Sequence, residues 1–276
     1  MRTLATLVLL LFFFFVPAFP QSSTQKYFLG FDRNDYPGDD AMKLFRKDFS
    51  FTSYWLGNPP QTKSNSWSGK RKFLLSLGYG FLPLFSGREN KELKNAQLAQ
   101  ELGAKDALTT AAAAEREGFP KGSLLFLDIE DGGRLSPLYH AYIQGWLGQL
   151  ATLGYRGGFY CSGIPVAEEP GKSIKTADDI AEHLKQKSQP FAMWVFNDSC
   201  PPSPGCATPQ DIPAPSKSGV SYAQVWQFVR SPRDKETARH CHGYARDGNC
   251  YAAFDAAHKY NSDLNVATSA DPSIVK

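Results

Sequence analysis

Eight short runs of apolar, β-branched and aromatic residues recur along this chain, separated by amphipathic or polar stretches. They are 26–32 (KYFLGFD), 49–56 (FSFTSYWL), 80–86 (GFLPLFS), 123–130 (SLLFLDIE), 157–162 (GGFYCS), 191–197 (FAMWVFN), 222–229 (YAQVWQFV) and 250–255 (CYAAFD). Strands covered on both faces read as continuous apolar runs. Helical periodicity marks 39–47, 70–77, 93–118 with its alanine run, 137–153 and 176–187. Strand and helix alternating in this way predict an α/β protein, a (β/α)₈ TIM barrel forming a single domain over residues 24–276. An open doubly wound sheet is the alternative, but no glycine-rich phosphate loop follows the first run. The last two units break the rhythm. Residues 198–221 are rich in Pro and Ser and 231–249 are polar, so both are expected as long irregular loops in the C-terminal third.

Residues 1–20 carry one basic side chain, Arg2, then a Leu- and Phe-rich block over 4–16, then Pro17, Ala18 and Pro20. This pattern predicts a secretory signal peptide, cleaved after Ala18 or a few residues later. An uncleaved anchor is the alternative, although the block is shorter than the roughly 20 apolar residues of a spanning helix. A secreted protein, extracellular or periplasmic, with no membrane span after cleavage is expected. The formal charge is only +3, and Lys and Arg are scattered, which argues against nucleic acid as a partner. All five cysteines fall in the second half. In an exported protein Cys200 with Cys206, and Cys241 with Cys250, are expected as disulfides pinning loops. Cys161, in an apolar strand, is expected as a buried free thiol. A metal site at His240, Cys241, His242 and Cys250 matches no usual zinc spacing, so neither metal nor cofactor is expected.

The chemistry concentrates where strands end. In LLFLDIED, Asp128 and Glu130 are two apart and would share a strand face, and neighbouring carboxylates push one pKa upward. Asp32 closes the first run, Asp198 follows the sixth and Asp255 closes the eighth. In a barrel these ends open on one mouth, where active sites lie. Tyr54, Trp55, Tyr160, Trp194, Trp226 and Gln227 stand near other strand ends. Aromatic faces stack on sugar rings while amides and hydroxyls satisfy their hydroxyl groups, although core packing would also explain each aromatic. Two carboxyl groups around one cleft are the requirement of glycoside cleavage. A serine hydrolase is less well supported, because Ser162 in GFYCSG lacks the Gly-x-Ser-x-Gly elbow.

GFD, LDIED, GGFYCSG, MWVF, VWQF and FDAA, in this order, resemble the lysozyme-type barrels of glycoside hydrolase family 25. The opening GFDRNDYPG with FTSYWLGNP is more similar to the bacterial glycoside-hydrolase-like domain once catalogued as domain of unknown function 1906. The resemblance implies Glu130 as general acid, Asp128 orienting the substrate N-acetyl group or stabilising developing charge, and Asp32 and Asp255 lining the floor. It implies peptidoglycan as the carbohydrate partner, cut by retaining chemistry between N-acetylmuramic acid and N-acetylglucosamine. The eighth run carries FDAA where that family has an Asp-Leu-Asn run, and Asp263-Leu264-Asn265 is a second possible match. A monomer is expected. The competing functions are a non-catalytic glycan-binding or wall-associated barrel, and a hydrolase using Cys161 or Ser162.

Overall fold

A computed structural model describes residues 27–187, 189–198, 212–229, 259–260 and 262–274. The proposed signal peptide, Cys200, Cys206, Cys241, Cys250, Asp255 and the whole 250–255 run lie outside the described residues. Among the described residues, no helix is long and apolar enough to cross a membrane.

The chain alternates β1 (Phe28–Asp32), α1 (Asp39–Phe45), β2 (Phe51–Trp55), α2 (Arg71–Ser76), β3 (Gly80–Ser86), α3 (Ala96–Arg116), β4 (Leu124–Asp128), α4 (Pro137–Thr152) and β5 (Arg156–Ser162). A two-stranded hairpin follows, β6 (Val166–Glu169) with β7 (Lys172–Ile174), and then α5 (Thr176–Lys185), β8 (Ala192–Phe196), β9 (Val225–Val229) and β10 (Asp263–Ala267). Eight strands close into a barrel in the order β1, β10, β9, β8, β5, β4, β3, β2. It is the α/β barrel expected from the runs, with one difference in its last stave.

That stave is β10, and it runs antiparallel to both neighbours, β1 and β9. All other pairings in the barrel are parallel. The segment Asp263–Ala267 is therefore a barrel strand, with Leu264, Val266 and Ala267 buried. The β6–β7 hairpin was also not expected. Its VAEEPGKSI sequence, exposed as far as Ser173, has no apolar alternation, and the turn is made by Pro170 with Gly171 at φ 77°.

Local chemistry explains the helices that position the mouth. Asn95 caps α3, its Oδ1 accepting from the Leu98 N–H at 2.9 Å, and Ser136 caps α4 through the Tyr139 N–H at 3.1 Å, with Pro137 in the first turn. The buried residues of α4, Tyr139, Tyr142, Ile143, Trp146, Leu147 and Leu150, recur at three- and four-residue spacing and form one apolar stripe. Inside the barrel Gly30 lies under the Phe51 ring, and a Cβ there would come within 2.2 Å of it. The missing side chain lets β1 pass the ring and bring Asp32 to the mouth two residues later.

Candidate active site

A cleft of about 790 Å³ opens at the C-terminal ends of the parallel strands. Asp32 from β1, Trp55 from β2, Leu84 and Ser86 from β3, Asp128 from β4, Tyr160 from β5 and Asp263 from β10 line it. The loops add Asn34, Arg88, Glu89, Glu92, Glu130 and Asp131.

Asp128 ends β4 and is buried. The strand hydrogen bonding reaches one residue further, the Ile129 N–H donating to the Tyr160 carbonyl at 2.9 Å. Glu130 then begins the loop and is exposed. The two acids share the cleft, as their spacing predicts, but Glu130 is carried by a loop and not by the strand. That loop is tied down from outside the barrel. Asp179 of α5, itself buried, accepts from the Leu135 N–H at 2.9 Å, from Arg134 Nη1 at 3.1 Å and meets His140 Nε2 at 3.0 Å.

The facing wall is the loop after β3. The Gly87 N–H donates to the Asp128 carbonyl at 3.0 Å, and a Cβ on Gly87 would sit 2.5 Å from that oxygen, so only glycine allows the approach. Arg88 forks onto Asp106 of α3 at 2.7 and 2.8 Å and reaches Glu92 at 3.2 Å. The Tyr142 hydroxyl completes the Asp106 site at 3.0 Å. Hydrogen bonding to Asp106 raises the Arg88 pKa further above its already high ordinary value. The buried Tyr139 hydroxyl donates to the Arg88 carbonyl at 2.9 Å. Burial raises its pKa, and the negative charges of Asp131, Asp128, Glu92 and Glu130 add to the shift.

At the floor, Asp32 Oδ1 accepts from Gln227 Nε2 at 2.9 Å and from Asn265 Nδ2 at 2.6 Å. Trp55 is held by its indole N–H on the Arg33 carbonyl at 3.2 Å. Among the expected aromatics, Trp55 and Tyr160 reach the cleft. Trp194 faces into the barrel below it, packed on Tyr160 and Phe126 and donating to Asn265.

Three expected residues stand elsewhere. Tyr54 points away from the barrel axis, its hydroxyl on Glu117 and its ring against Trp67, Phe81 and Phe119. Trp226 alternates with the inward Gln227 and so faces outward, donating to the Asn197 carbonyl at 3.0 Å. Asp198 is buried just past β8 and does not line the cleft. Asp263 and Asn265 supply the floor from the strand that the 250–255 run was expected to form. Asn34, Ser86 and Arg88 had no motif to announce them.

The alternative nucleophiles fare poorly. Cys161 is fully buried on the outward face beside Met193, and burial pushes its thiol far above the ordinary range. Ser162 accepts from the Ile164 N–H at 3.1 Å and lies outside the cleft lining. Among the described residues, no group of three or more His, Cys, Asp or Glu side chains is arranged to hold a metal ion.

A family model for the Rv2525c-like, glycoside hydrolase-like domain matches residues 57–201. No curated protein is detectably similar to the chain. Three solved structures share the fold at low identity. An uncharacterized B. stearothermophilus protein is 19% identical with a TM-score of 0.55, covering 87% of this chain and 95% of its own. The Clostridium perfringens spore cortex lytic enzyme SleM is 16% identical with a TM-score of 0.51, covering 88% of this chain and 68% of its own. The Mycobacterium tuberculosis Tat-secreted protein Rv2525c, in complex with L-tartrate, is 12% identical with a TM-score of 0.50, covering 92% of this chain and 97% of its own.

Proposed function

Because the chain belongs to the Rv2525c-like, glycoside hydrolase-like family, we propose that it is a secreted glycosidase acting on the glycan of bacterial peptidoglycan. The observation that carries this is the gathering of Asp32, Asp128, Glu130 and Asp263 in one cleft at the barrel mouth. Cleavage of a glycosidic bond requires one carboxyl group that gives a proton to the leaving oxygen and another that remains charged beside the oxocarbenium-like centre. Glu130, on the rim, is the proton donor. Asp128, below it, orients the N-acetyl group or stabilises the developing positive charge in a retaining reaction. Asp32 forms the anionic floor. Trp55 offers an apolar face to a sugar ring, and Asn34, Ser86 and Tyr160 offer hydrogen-bonding groups. The likeness to a spore cortex lytic enzyme and to a Tat-secreted protein supports a wall glycan as substrate and residues 1–20 as an export signal.

The test is mass spectrometry of the products released from purified peptidoglycan by the mature protein and by Glu130→Gln. New reducing-end muramic acid from the parent alone establishes the reaction and its acid. Retention of both proteins on the insoluble wall without release makes this a glycan-binding barrel instead.

A further inference from the structure

Below the cleft, five strands contribute to one chain of hydrogen bonds that ends on Asp32. The Tyr160 hydroxyl of β5 donates to Gln227 Oε1 at 3.0 Å, and Gln227 Nε2 of β9 donates to Asp32 Oδ1 at 2.9 Å. The Trp194 indole of β8 donates to Asn265 Oδ1 at 2.8 Å, and Asn265 Nδ2 of β10 donates to the same Asp32 oxygen at 2.6 Å and to the Asp263 carbonyl at 3.3 Å. Gln227, Asn265 and Trp194 have no exposed surface.

The direction of the Asn265 bonds is chemically forced. An indole N–H can only donate, so the Asn265 atom facing Trp194 is the carbonyl oxygen and its amino group must face Asp32. Gln227 turns its amino group to Asp32 and its oxygen to the Tyr160 hydroxyl, the orientation that suits a carboxylate, which can only accept. Two N–H donors on one carboxylate oxygen favour the charged form of the acid. Asp32 also stands directly opposite Asp263 in the antiparallel pairing of β1 with β10, where like charges repel. The two donors offset that repulsion on the Asp32 side.

We propose that Gln227 and Asn265 are positioning residues, a two-point amide clamp that keeps Asp32 ionised and fixed, so that it is the permanent anion of the cleft and never its proton donor. This deepens the hydrolase assignment and rests on it for the role of Asp32 in turnover. The clamp itself can be tested without turnover. Carbon-detected NMR follows the aspartate carboxyl groups of the mature protein through an acid titration, with Asp32 assigned by its loss in Asp32→Asn. Asn265→Leu and Gln227→Met keep side-chain volume while removing the donors. Each should move the Asp32 midpoint to higher pH. Each should also carry the acid limb of wall-glycan release upward with it, and lower kcat by roughly a hundredfold with little change in KM, the scale expected when a reacting group is misplaced. A merely structural role would lower Tm and leave the Asp32 midpoint in place. That result in a folded variant overturns the proposal. Should neither variant fold, Tyr160→Phe removes the donor that orients Gln227 at almost constant volume, and an unmoved Asp32 midpoint there overturns it equally. A clean titration shift with no release of glycan by the parent would uphold the clamp and remove the hydrolase assignment.

Discussion

The two ends of the barrel interior are built by the same strands and have opposite chemistry. At the N-terminal end the inward positions are Phe28, Phe51, Leu82, Leu124, Phe126, Val225 and Ala267, and at the C-terminal mouth they are Asp32, Trp55, Ser86, Asp128, Tyr160, Gln227, Asn265 and Asp263. In β1 and β4 the change takes place within a few residues, from Phe28 to Asp32 and from Phe126 to Asp128. Every second residue of a strand faces inward, so a stave such as β1 or β4 is a short rod with an apolar foot and a polar head. The foot supplies burial, of the order of 1.5–3 kcal/mol for each large side chain. The head gives some of that up to hold carboxylates in place. Stability and chemistry are thus divided along the axis, and substitutions at the two ends should separate them.

The largest separation is expected between Glu130 and Phe126. Glu130→Gln should lower glycan release by about a hundred- to ten-thousandfold, the usual worth of a positioned general acid, with Tm unchanged because the side chain is exposed. Phe126→Ala should do the reverse. It removes a ring packed edge-on against Trp194 and should cost about 3–5 kcal/mol of unfolding free energy. Denaturant unfolding and product release, measured on both variants, decide the matter. A Glu130→Gln protein that loses stability, or a folded Phe126→Ala protein that loses turnover in proportion, would break the division.

A smaller effect is expected at Asp106, and it tests whether the mouth is held from outside. Asp106 is buried, receives the Arg88 fork and the Tyr142 hydroxyl, and thereby fixes the loop that forms one cleft wall. Asp106→Ala leaves Arg88 without its fork partner. The cost should be about 2–3 kcal/mol, below the range for a fully buried pair because Arg88 reaches solvent. Hydrogen exchange should then rise in the amides of 87–93 and stay unchanged in β4 and β5. Uniform loss of protection across the barrel would mean that wall and core unfold together.

Much of this division was legible in the sequence, and its failures follow from strand geometry. Seven of the eight apolar runs are barrel strands because continuous apolar runs are what a sheet buried on both faces requires. The eighth stave was expected at 250–255, with Asp263-Leu264-Asn265 only as a second match, because it runs backwards. A parallel strand meets its acid last, as LLFLD does, whereas Asp263-Leu264-Asn265 presents its polar head first and its apolar foot afterwards. Two aromatic assignments failed on parity. Tyr54 and Trp55 are neighbours, as are Trp226 and Gln227, and neighbours in a strand face opposite ways, so one of each pair had to lie outside. The buried amides gave the strongest signal available, since Gln227 and Asn265 interrupt otherwise apolar strands. Arg88 and Asn34 sit on loops, where no periodicity marks them.

The smallest effect lies outside the barrel and bears on how acid acts on the mouth. His140 of α4 and His183 of α5 stack with ring centroids 4.1 Å apart, beside the Asp179 that anchors the Glu130 loop. Burial lowers both imidazole pKa values below the ordinary 6.5; Asp179 opposes the shift at His140 and Arg134 adds to it, while His140 and Lys187 add to it at His183. The unfolded chain therefore takes up protons on these rings at a higher pH than the folded chain does. Wherever the unfolded state binds more protons, stability rises with pH. Folded stability from this pair is complete above about pH 6.5 and is lost as the pH falls below it. His183→Gln removes one ring of the pair and should flatten the decline of Tm between pH 7 and 5. The acid limb of glycan release should keep its position. If that limb instead moves with the Tm profile, acid loosens the Glu130 loop through α5, and the chemistry of the mouth is no longer separable from the helices that hold it.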